Sequence, residues 1–168
     1  LARHRQRHVE RLRDTLRESR VIHCRLLVEA DRERVVELAR QHQQESAPHL
    51  TFDLDRMRAT IDRALYKPNL IIFVAEYQEE VIGYLAAVKE PYAACSGFYI
   101  EQQLFYVEPR KRGSRAAAKL FAGFVRWAEL QQAEEIFASI WGRQGGDRWI
   151  RRFGFEPAGQ QMRRRVGG

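Results

Sequence analysis

The sequence is poor in the residues that build disulfide frameworks and metal sites. Only Cys24 and Cys95 occur among 168 residues, far apart and without a CxxC partner. This pattern excludes a disulfide framework and a zinc-finger spacing. All five histidines lie in the first third of the chain, without the paired spacing of an HExxH motif. We therefore expect ordinary thiols, histidines on the surface or in packing contacts, and no metal.

Long hydrophobic runs are also missing. The longest run, Leu70 to Ala75, has the length of a buried strand and falls short of the roughly 20 residues that cross a bilayer. With 45% hydrophobic residues, the chain has the size of one domain with one core. We expect a soluble, cytoplasmic protein with no membrane partner. The first residue is Leu rather than Met, which leaves an upstream segment or a removed leader open.

Lysine is scarce, and arginine supplies most of the positive charge. The formal net charge is +7, and seven arginines fall within residues 1–20. We interpret residues 1–20 as a basic helical extension, because Val9, Leu12 and Leu16 recur at helical spacing. Residues 161–168 form a basic tail. Such ends could contact nucleic acid or another acidic surface, while a coding bias toward arginine explains the charge equally well.

Between these ends, residues 21–160 are interpreted as one mixed α and β domain. Hydrophobic periodicity and turn residues predict the elements. In order they are strand Val21–Glu29, a helix from Asp31, a helix over Met57–Leu65, strands Leu70–Tyr77, Val81–Val88 and Phe98–Val107, helix Ala116–Gln131, strand Ile136–Trp141, a short basic helix Arg148–Phe153 and a last strand after Pro157. Gly83, inside a predicted strand, marks either a bulge or a close approach of two backbones.

The stretch from Tyr106 to Leu130 passes from a strand end through a basic turn into a long helix. Pro109 and Gly113 shape the turn, and arginine and lysine crowd it. The first N–H groups of a helix have no intrahelical partner and carry partial positive charge, so they bind phosphate oxygens. A P-loop motif and a GxGxxG fingerprint are both absent. The turn therefore predicts a pyrophosphate site on a different scaffold.

The order of elements and several short motifs resemble the GNAT superfamily of acetyl-CoA-dependent N-acetyltransferases. The motifs are Val81-Ile82-Gly83-Tyr84, Phe105-Tyr106-Val107-Glu108-Pro109, Arg112-Gly113 and Arg152-Phe153-Gly154-Phe155. The resemblance implies a GNAT fold of α+β class, whose mostly antiparallel twisted sheet is splayed at the cofactor site and flanked by helices. It also implies direct transfer of an acetyl group from acetyl-CoA to a primary amine of a small molecule or peptide.

The family's pyrophosphate signature falls on residues 112–117, and its central glycine is replaced by Arg115. A side chain there either weakens cofactor binding or places a guanidinium beside the phosphates. Some phage and prophage members of the family tolerate such a loop, and we interpret the chain as one of that type. The resemblance implies that the cofactor's pantetheine arm bonds to a strand edge and its phosphates to a helix start. The implied contacts are Phe105, Tyr106, Val107, Arg112, Gly113, Ser114, Arg115, Ala116 and Ala117.

The catalytic groups match the family less completely. Acetyl transfer needs a neutral amine and a proton donor for the departing thiolate. We name Glu101 as the base, since several family members carry a glutamate there; a strand-face Glu paired with an Arg is the alternative. The usual acid position holds Ile150, which leaves Tyr99, water, or our candidate Tyr106 as the proton source. Trp149 packs either on the cofactor or in the core.

The sequence alone therefore leaves three functions open. The first is the acetyltransferase. The second is a GNAT-fold protein that binds acyl-CoA or a partner without turnover, which Ile150 and Arg115 favour. The third is nucleic-acid binding through the basic ends. The acceptor amine is not specified, although Asp53, Asp55 and Glu90 could attract a cation, and a homodimer is also open.

Overall fold

A computed structural model describes residues 21–139 and 146–159. The predicted basic extension over 1–20, the tail over 161–168 and the end of the predicted strand Ile136–Trp141 lie outside these residues. The elements are β1 (His23–Leu26), α1 (Arg32–Ser46), α2 (Leu54–Tyr66), β2 (Leu70–Tyr77), β3 (Glu80–Pro91), β4 (Phe98–Val107), α3 (Ala116–Leu130), β5 (Glu135–Phe137) and α4 (Gly146–Ile150), with short 3-10 turns at Glu29–Asp31, Pro109–Lys111 and Arg151–Phe153.

The five strands form one sheet in the order β1-β2-β3-β4-β5. Pairing is antiparallel from β1 to β4, and β5 lies parallel to β4. The predicted α+β class and mostly antiparallel sheet are therefore confirmed. The strand predicted after Pro157 does not begin within the described residues, because positions 156–159 adopt no regular structure.

An apolar core lies on each face of the sheet. Helices α1 and α2 cover one face with buried residues such as Leu38 and Ile61, and α3 covers the other with residues such as Phe121. Successive strand side chains point to opposite faces. Tyr84 on β3 accordingly packs in the first core and Leu85 in the second. β4 lies between β3 and β5 and connects directly to the turn that precedes α3.

Gly83 lies at a bulge where β3 and β4 approach closely. The register of β2 against β3 shifts here and leaves Ile82 without an opposite residue on β2. A Cβ atom on Gly83 would lie 2.7 Å from the carbonyl oxygen of Tyr106. Both interpretations of Gly83, as a bulge and as a close backbone approach, are confirmed.

We expect Gly83→Ala to lower the free energy of unfolding by about 1–3 kcal/mol, because backbone must move to admit the methyl group. Gly123→Ala is the matched control. Its Cβ would lie 2.9 Å from Sγ of Cys24, a side-chain atom that can move, and alanine also favours the helix by about 1 kcal/mol. Urea unfolding of both variants tests this, and a Gly83→Ala protein as stable as Gly123→Ala would contradict the backbone contact.

Candidate cofactor and catalytic cleft

A cleft of about 820 Å³ opens along the second half of β4. Its walls are β4, the turn after it, the end of α1, and the start of α3. Its volume falls in the range of small-molecule sites, roughly 300–1,000 Å³. Most of the residues predicted to contact a cofactor line it, namely Phe105, Tyr106, Val107, Arg112, Gly113, Ser114 and Ala117. Arg115 and Ala116 do not.

The cleft exists because β4 and β5 separate after a short parallel pairing. Their register covers only Tyr99–Glu101 of β4. Beyond it, the buried side chain of Gln102 accepts a hydrogen bond from the amide of Ser139 at 3.1 Å, in place of a further ladder bond. No described strand pairs with the outer edge of Phe105–Val107. This edge leaves main-chain groups available to a ligand that adds as a strand does.

The turn between β4 and α3 offers unpaired amide groups. In the part of the chain that the structure describes, the amides of Gly113, Arg115, Ala117 and Ala118 donate no hydrogen bond. Gly113 has a φ of 84°, and apart from its chain neighbours no described residue has an atom within 4 Å of the place where its Cβ would stand. Unpaired N–H groups at a helix start bind phosphate oxygens. The residues present therefore fit a diphosphate.

Arg115 does not disrupt this turn. Its φ is −78°, an ordinary value for any residue, so its position does not require glycine. The left-handed conformation falls on Gly113 instead, where the sequence keeps the glycine. The Arg115 side chain is exposed and does not line the cleft. The substitution thus leaves the backbone of the loop intact.

Arg112 connects the turn to α1. Its Nε donates to the carbonyl of Val107 at 3.0 Å, and its Nη2 donates to the Glu45 carboxylate at 2.6 Å. Its guanidinium carbon also lies 5.3 Å from the ring centroid of Tyr106. The hydrogen bond from Arg112 lowers the pKa of Glu45. The guanidinium is thereby held at the rim of the cleft, where it can make charge-assisted bonds to an anion.

His42 near the end of α1 contacts one tyrosine from β3 and one from β4. Nδ1 of His42 lies 3.0 Å from the hydroxyl of Tyr84, and the His42 ring stacks on Tyr106 with centroids 5.2 Å apart. Burial lowers the pKa of His42 and raises the pKa of Tyr84. His42 lines the cleft. The sequence predicts only a surface or packing role for this histidine, and its place in the cleft was not predicted.

Glu101, the predicted base, lies next to the cleft rather than in its wall. It stands half-buried on β4 between Val88 of β3 and Phe137 of β5. Its carboxylate accepts a hydrogen bond from Nε2 of Gln103 at 3.1 Å, and Gln103 lines the cleft. No arginine pairs with Glu101 among the described residues. Glu101 as the base stays a prediction.

Tyr106, the candidate acid, lines the cleft, and so does Trp149, the residue before Ile150. The hydroxyl of Tyr106 donates to Gln41 on α1 across 3.5 Å, and burial raises the pKa of Tyr106. The ring centroid of Trp149 lies 4.6 Å from that of Phe121 in the core and 5.9 Å from that of Phe105 in the cleft wall. Both roles considered for Trp149 are thus compatible with its place. Ile150 packs against the α3 core.

The described residues contain no helix with the length and apolarity to cross a membrane. Over the same ranges, no three or more side chains of His, Cys, Asp or Glu are grouped as they would be around a metal ion. Asp53, Asp55 and Glu90, which could attract a cationic acceptor, do not line the cleft. Asp53 instead caps α2, since its carboxylate accepts from the amide of Arg56 at 2.9 Å.

Comparison with known proteins places this geometry in a family. The model of the Acetyltransferase (GNAT) family matches residues 32–155. No curated protein matches the sequence. A transcriptional regulator from Bacillus halodurans C-125 shares the fold with a TM-score of 0.72 and 15% identity, over 87% of this chain and 100% of that one.

Two further solved structures that share the fold contain acetyl-CoA or a coenzyme A analogue. A predicted acetyltransferase from Clostridium acetobutylicum, solved with acetyl-CoA, has a TM-score of 0.71 and 15% identity over 86% of this chain and 96% of that one. AAC(6')-Iy, solved with the bisubstrate analogue CoA-S-monomethyl-acetylneamine, has a TM-score of 0.67 and 18% identity over 88% of this chain and 99% of that one. The predicted GNAT fold is confirmed, and because the family model covers most of its length, the chain belongs to the GNAT acetyltransferase family.

Proposed function

We propose that the protein transfers an acetyl group from acetyl-CoA directly to a primary amine of a small molecule or peptide. One observation carries the proposal: a single cleft joins the outer strand edge at Phe105–Val107, with which no described strand pairs, to amides at the start of α3 that donate no hydrogen bond among residues 21–139 and 146–159. The strand edge suits the amide-rich pantetheine arm of coenzyme A, and the amides at the start of α3 suit its diphosphate. Gly113, Ser114 and Ala117 would hold the diphosphate, with Arg112 at its side.

The acceptor would enter on the side of the cleft that adjoins Glu101. Ser46 at the end of α1 and Gln103 on β4 line the cleft, and the Glu101 carboxylate accepts a hydrogen bond from Gln103. Carboxylates attract a cationic amine before it is deprotonated. The solved relative with an acetylneamine analogue supports a small amine with several cationic groups as one acceptor class to test.

The chain's own residues supply the proton transfers. The attacking amine must lose a proton, which Glu101 would accept through water bound at Gln103. The departing thiolate must gain one, for which Tyr106 stays the candidate because its hydroxyl is neutral and lies on the cleft wall. With Glu101 as the base and Tyr106 as the acid on the same strand, one proton would leave the amine nitrogen while another reaches the thiolate sulfur.

A second candidate is a protein of this family that binds acyl-CoA or a partner without turnover. The observation that favours it is Ile150, which occupies the usual acid position and packs against the α3 core. The phage type, the cytoplasmic location and the homodimer stay predictions. Nucleic-acid binding stays a third prediction, since the basic ends that suggested it lie outside the described residues.

Thermal melting with and without acetyl-CoA tests the proposal first. At about 100 times its dissociation constant, a ligand bound only by the folded state adds about 2.7 kcal/mol. For a domain of this size we expect the melting temperature to rise by about 5–10 °C. Release of free thiol from acetyl-CoA is then followed across a panel of amines. A rise in melting temperature without thiol release would favour the second candidate, and no rise would contradict cofactor binding.

A further inference from the structure

His42, near the end of α1, has one side in the core and the other on the cleft. Its Nδ1 lies 3.0 Å from the hydroxyl of Tyr84 on β3, and Tyr84 is fully buried. Its ring stacks on Tyr106, with the two planes 21° from parallel. Because Nδ1 is held on the buried side, Nε2 is the ring nitrogen that a molecule in the cleft can reach.

The buried hydroxyl decides which nitrogen carries the proton. In the described part of the chain, Nδ1 of His42 is the hydrogen-bond partner of the Tyr84 hydroxyl, and no buried side-chain nitrogen or oxygen lacks a partner. A proton on Nδ1 would donate to the phenol oxygen and leave the phenol proton buried without an acceptor, at a cost of about 1–3 kcal/mol. Tyr84 therefore donates to Nδ1, and the imidazole proton lies on Nε2.

The surroundings keep this imidazole neutral. Burial lowers the pKa of His42, Glu45 on the same helix raises it, and Arg112 from the turn lowers it, with a net decrease. The other titratable groups that face His42 are Tyr84 from β3 and Tyr106 from β4, and burial raises the pKa of each. Both phenols are therefore uncharged near neutral pH, and His42 is a fixed neutral donor in the cleft.

We propose that Nε2–H of His42 donates a hydrogen bond to the carbonyl oxygen of the transferred acyl group. This inference rests on the proposed function. The amine nitrogen forms a bond to the carbonyl carbon, and the oxygen takes up negative charge, which a preorganised donor stabilises. The carbon–sulfur bond then breaks and the carbonyl re-forms; nitrogen gives one proton to the base, and the thiolate receives one from the acid. His42 keeps its own proton throughout.

Two substitutions separate a donor from a base and from a packing residue. His42→Phe keeps a ring on Tyr106 but removes the N–H, and we expect kcat to fall by about 100-fold with KM for acetyl-CoA unchanged. His42→Gln places an amide N–H close to the position of Nε2 and cannot accept a proton near neutral pH. We expect it to stay within about tenfold of the unmodified protein. Melting of each variant verifies that it is folded.

The opposite patterns would overturn the inference. Full activity of His42→Phe would show that the ring only packs. Equal large losses in both variants, with loss of the low-pH limb of kcat/KM, would show that His42 is a base. Tyr84→Phe removes the hydroxyl that fixes the tautomer, and we expect it to lower kcat by about tenfold without changing acetyl-CoA affinity.

A spectroscopic measurement decides the tautomer without any turnover. In a ¹H–¹⁵N spectrum of the histidine side chains, with His42→Gln used to assign the signals, we expect a protonated Nε2 and an unprotonated Nδ1 at pH 7. A protonated Nδ1 would overturn the inference even if the enzyme is active. No thiol release by the unmodified protein would instead count against the proposed function, so the two failures are distinguishable.

Discussion

An Ala117→Glu variant is expected to lose about 1,000-fold in affinity for acetyl-CoA while it still folds. Ala117 lines the cleft, and its amide is one of those that donate to nothing in the described ranges. A glutamate there places a carboxylate beside the amides proposed to bind phosphate. Like charges brought together in such a site cost several kcal/mol, and about 4 kcal/mol is a thousandfold change.

Ala118→Glu is the matched control for this variant. It carries the same substitution one residue later, where the side chain is exposed and does not line the cleft. A glutamate in the first turn favours a helix, so the exposed Ala118→Glu should melt as the unmodified protein does without ligand. Ala117 packs partly buried against the α3 core, and melting of Ala117→Glu without ligand verifies that this variant is folded. Titration calorimetry should find acetyl-CoA bound to Ala118→Glu within about tenfold of normal. Equal affinities of the two variants would contradict a phosphate site at the start of α3.

Local signals in the sequence predicted the elements that carry the cleft. The bounds of β4 and the start of α3 at Ala116 are as predicted, because an apolar run ends at Pro109 and the helical pattern begins after Gly113. Each of these features acts within a few residues of itself. The turn that carries the candidate anion site could be predicted for the same reason, since it is one contiguous segment.

Contacts between distant residues could not be predicted in this way. His42 and Tyr84 are 42 residues apart, and Glu45 and Arg112 are 67 residues apart. Each pair forms only because α1 packs across the sheet, and no local pattern encodes that approach. A single histidine on a helix has the same periodicity whether it faces solvent or a cleft. The sequence therefore identified the strand and turn of the candidate site but not the α1 wall.

The glycine signature shows how a motif position can differ from a backbone requirement. Arg115 departs from the signature, because a glycine there suggests a conformation or a close contact that other residues cannot adopt. In the structure the only residue of this signature with a positive φ is Gly113. Measuring the acetyl-CoA affinity of Arg115→Gly alongside that of the Ala117 variant tests whether the exposed arginine at position 115 contributes to phosphate binding.

Glu101→Gln is expected to lower kcat by about 1,000-fold at neutral pH with little change in acetyl-CoA affinity. A general base contributes about 10²–10⁴-fold to a rate. Glutamine has nearly the same shape, and its carbonyl oxygen can still accept the hydrogen bond that Gln103 donates at 3.1 Å to Glu101. The variant therefore removes proton acceptance while it preserves the packing between Val88 and Phe137.

The pH dependence and a second carboxylate make this assignment specific. The neutral fraction of an alkylamine with a pKa near 10 rises about tenfold per pH unit below that value. A base becomes unnecessary as that fraction grows, so the defect of Glu101→Gln should shrink steadily toward pH 10. Glu135→Gln on the neighbouring strand β5 removes the same charge from an exposed site that contacts Tyr92, and its kcat should stay within about threefold of normal. A Glu101→Gln defect that stays constant with pH, or that equals the defect of Glu135→Gln, would contradict the assignment. Glu101 would then act through the electrostatic potential of the site or through the fold, and another group would accept the proton of the amine.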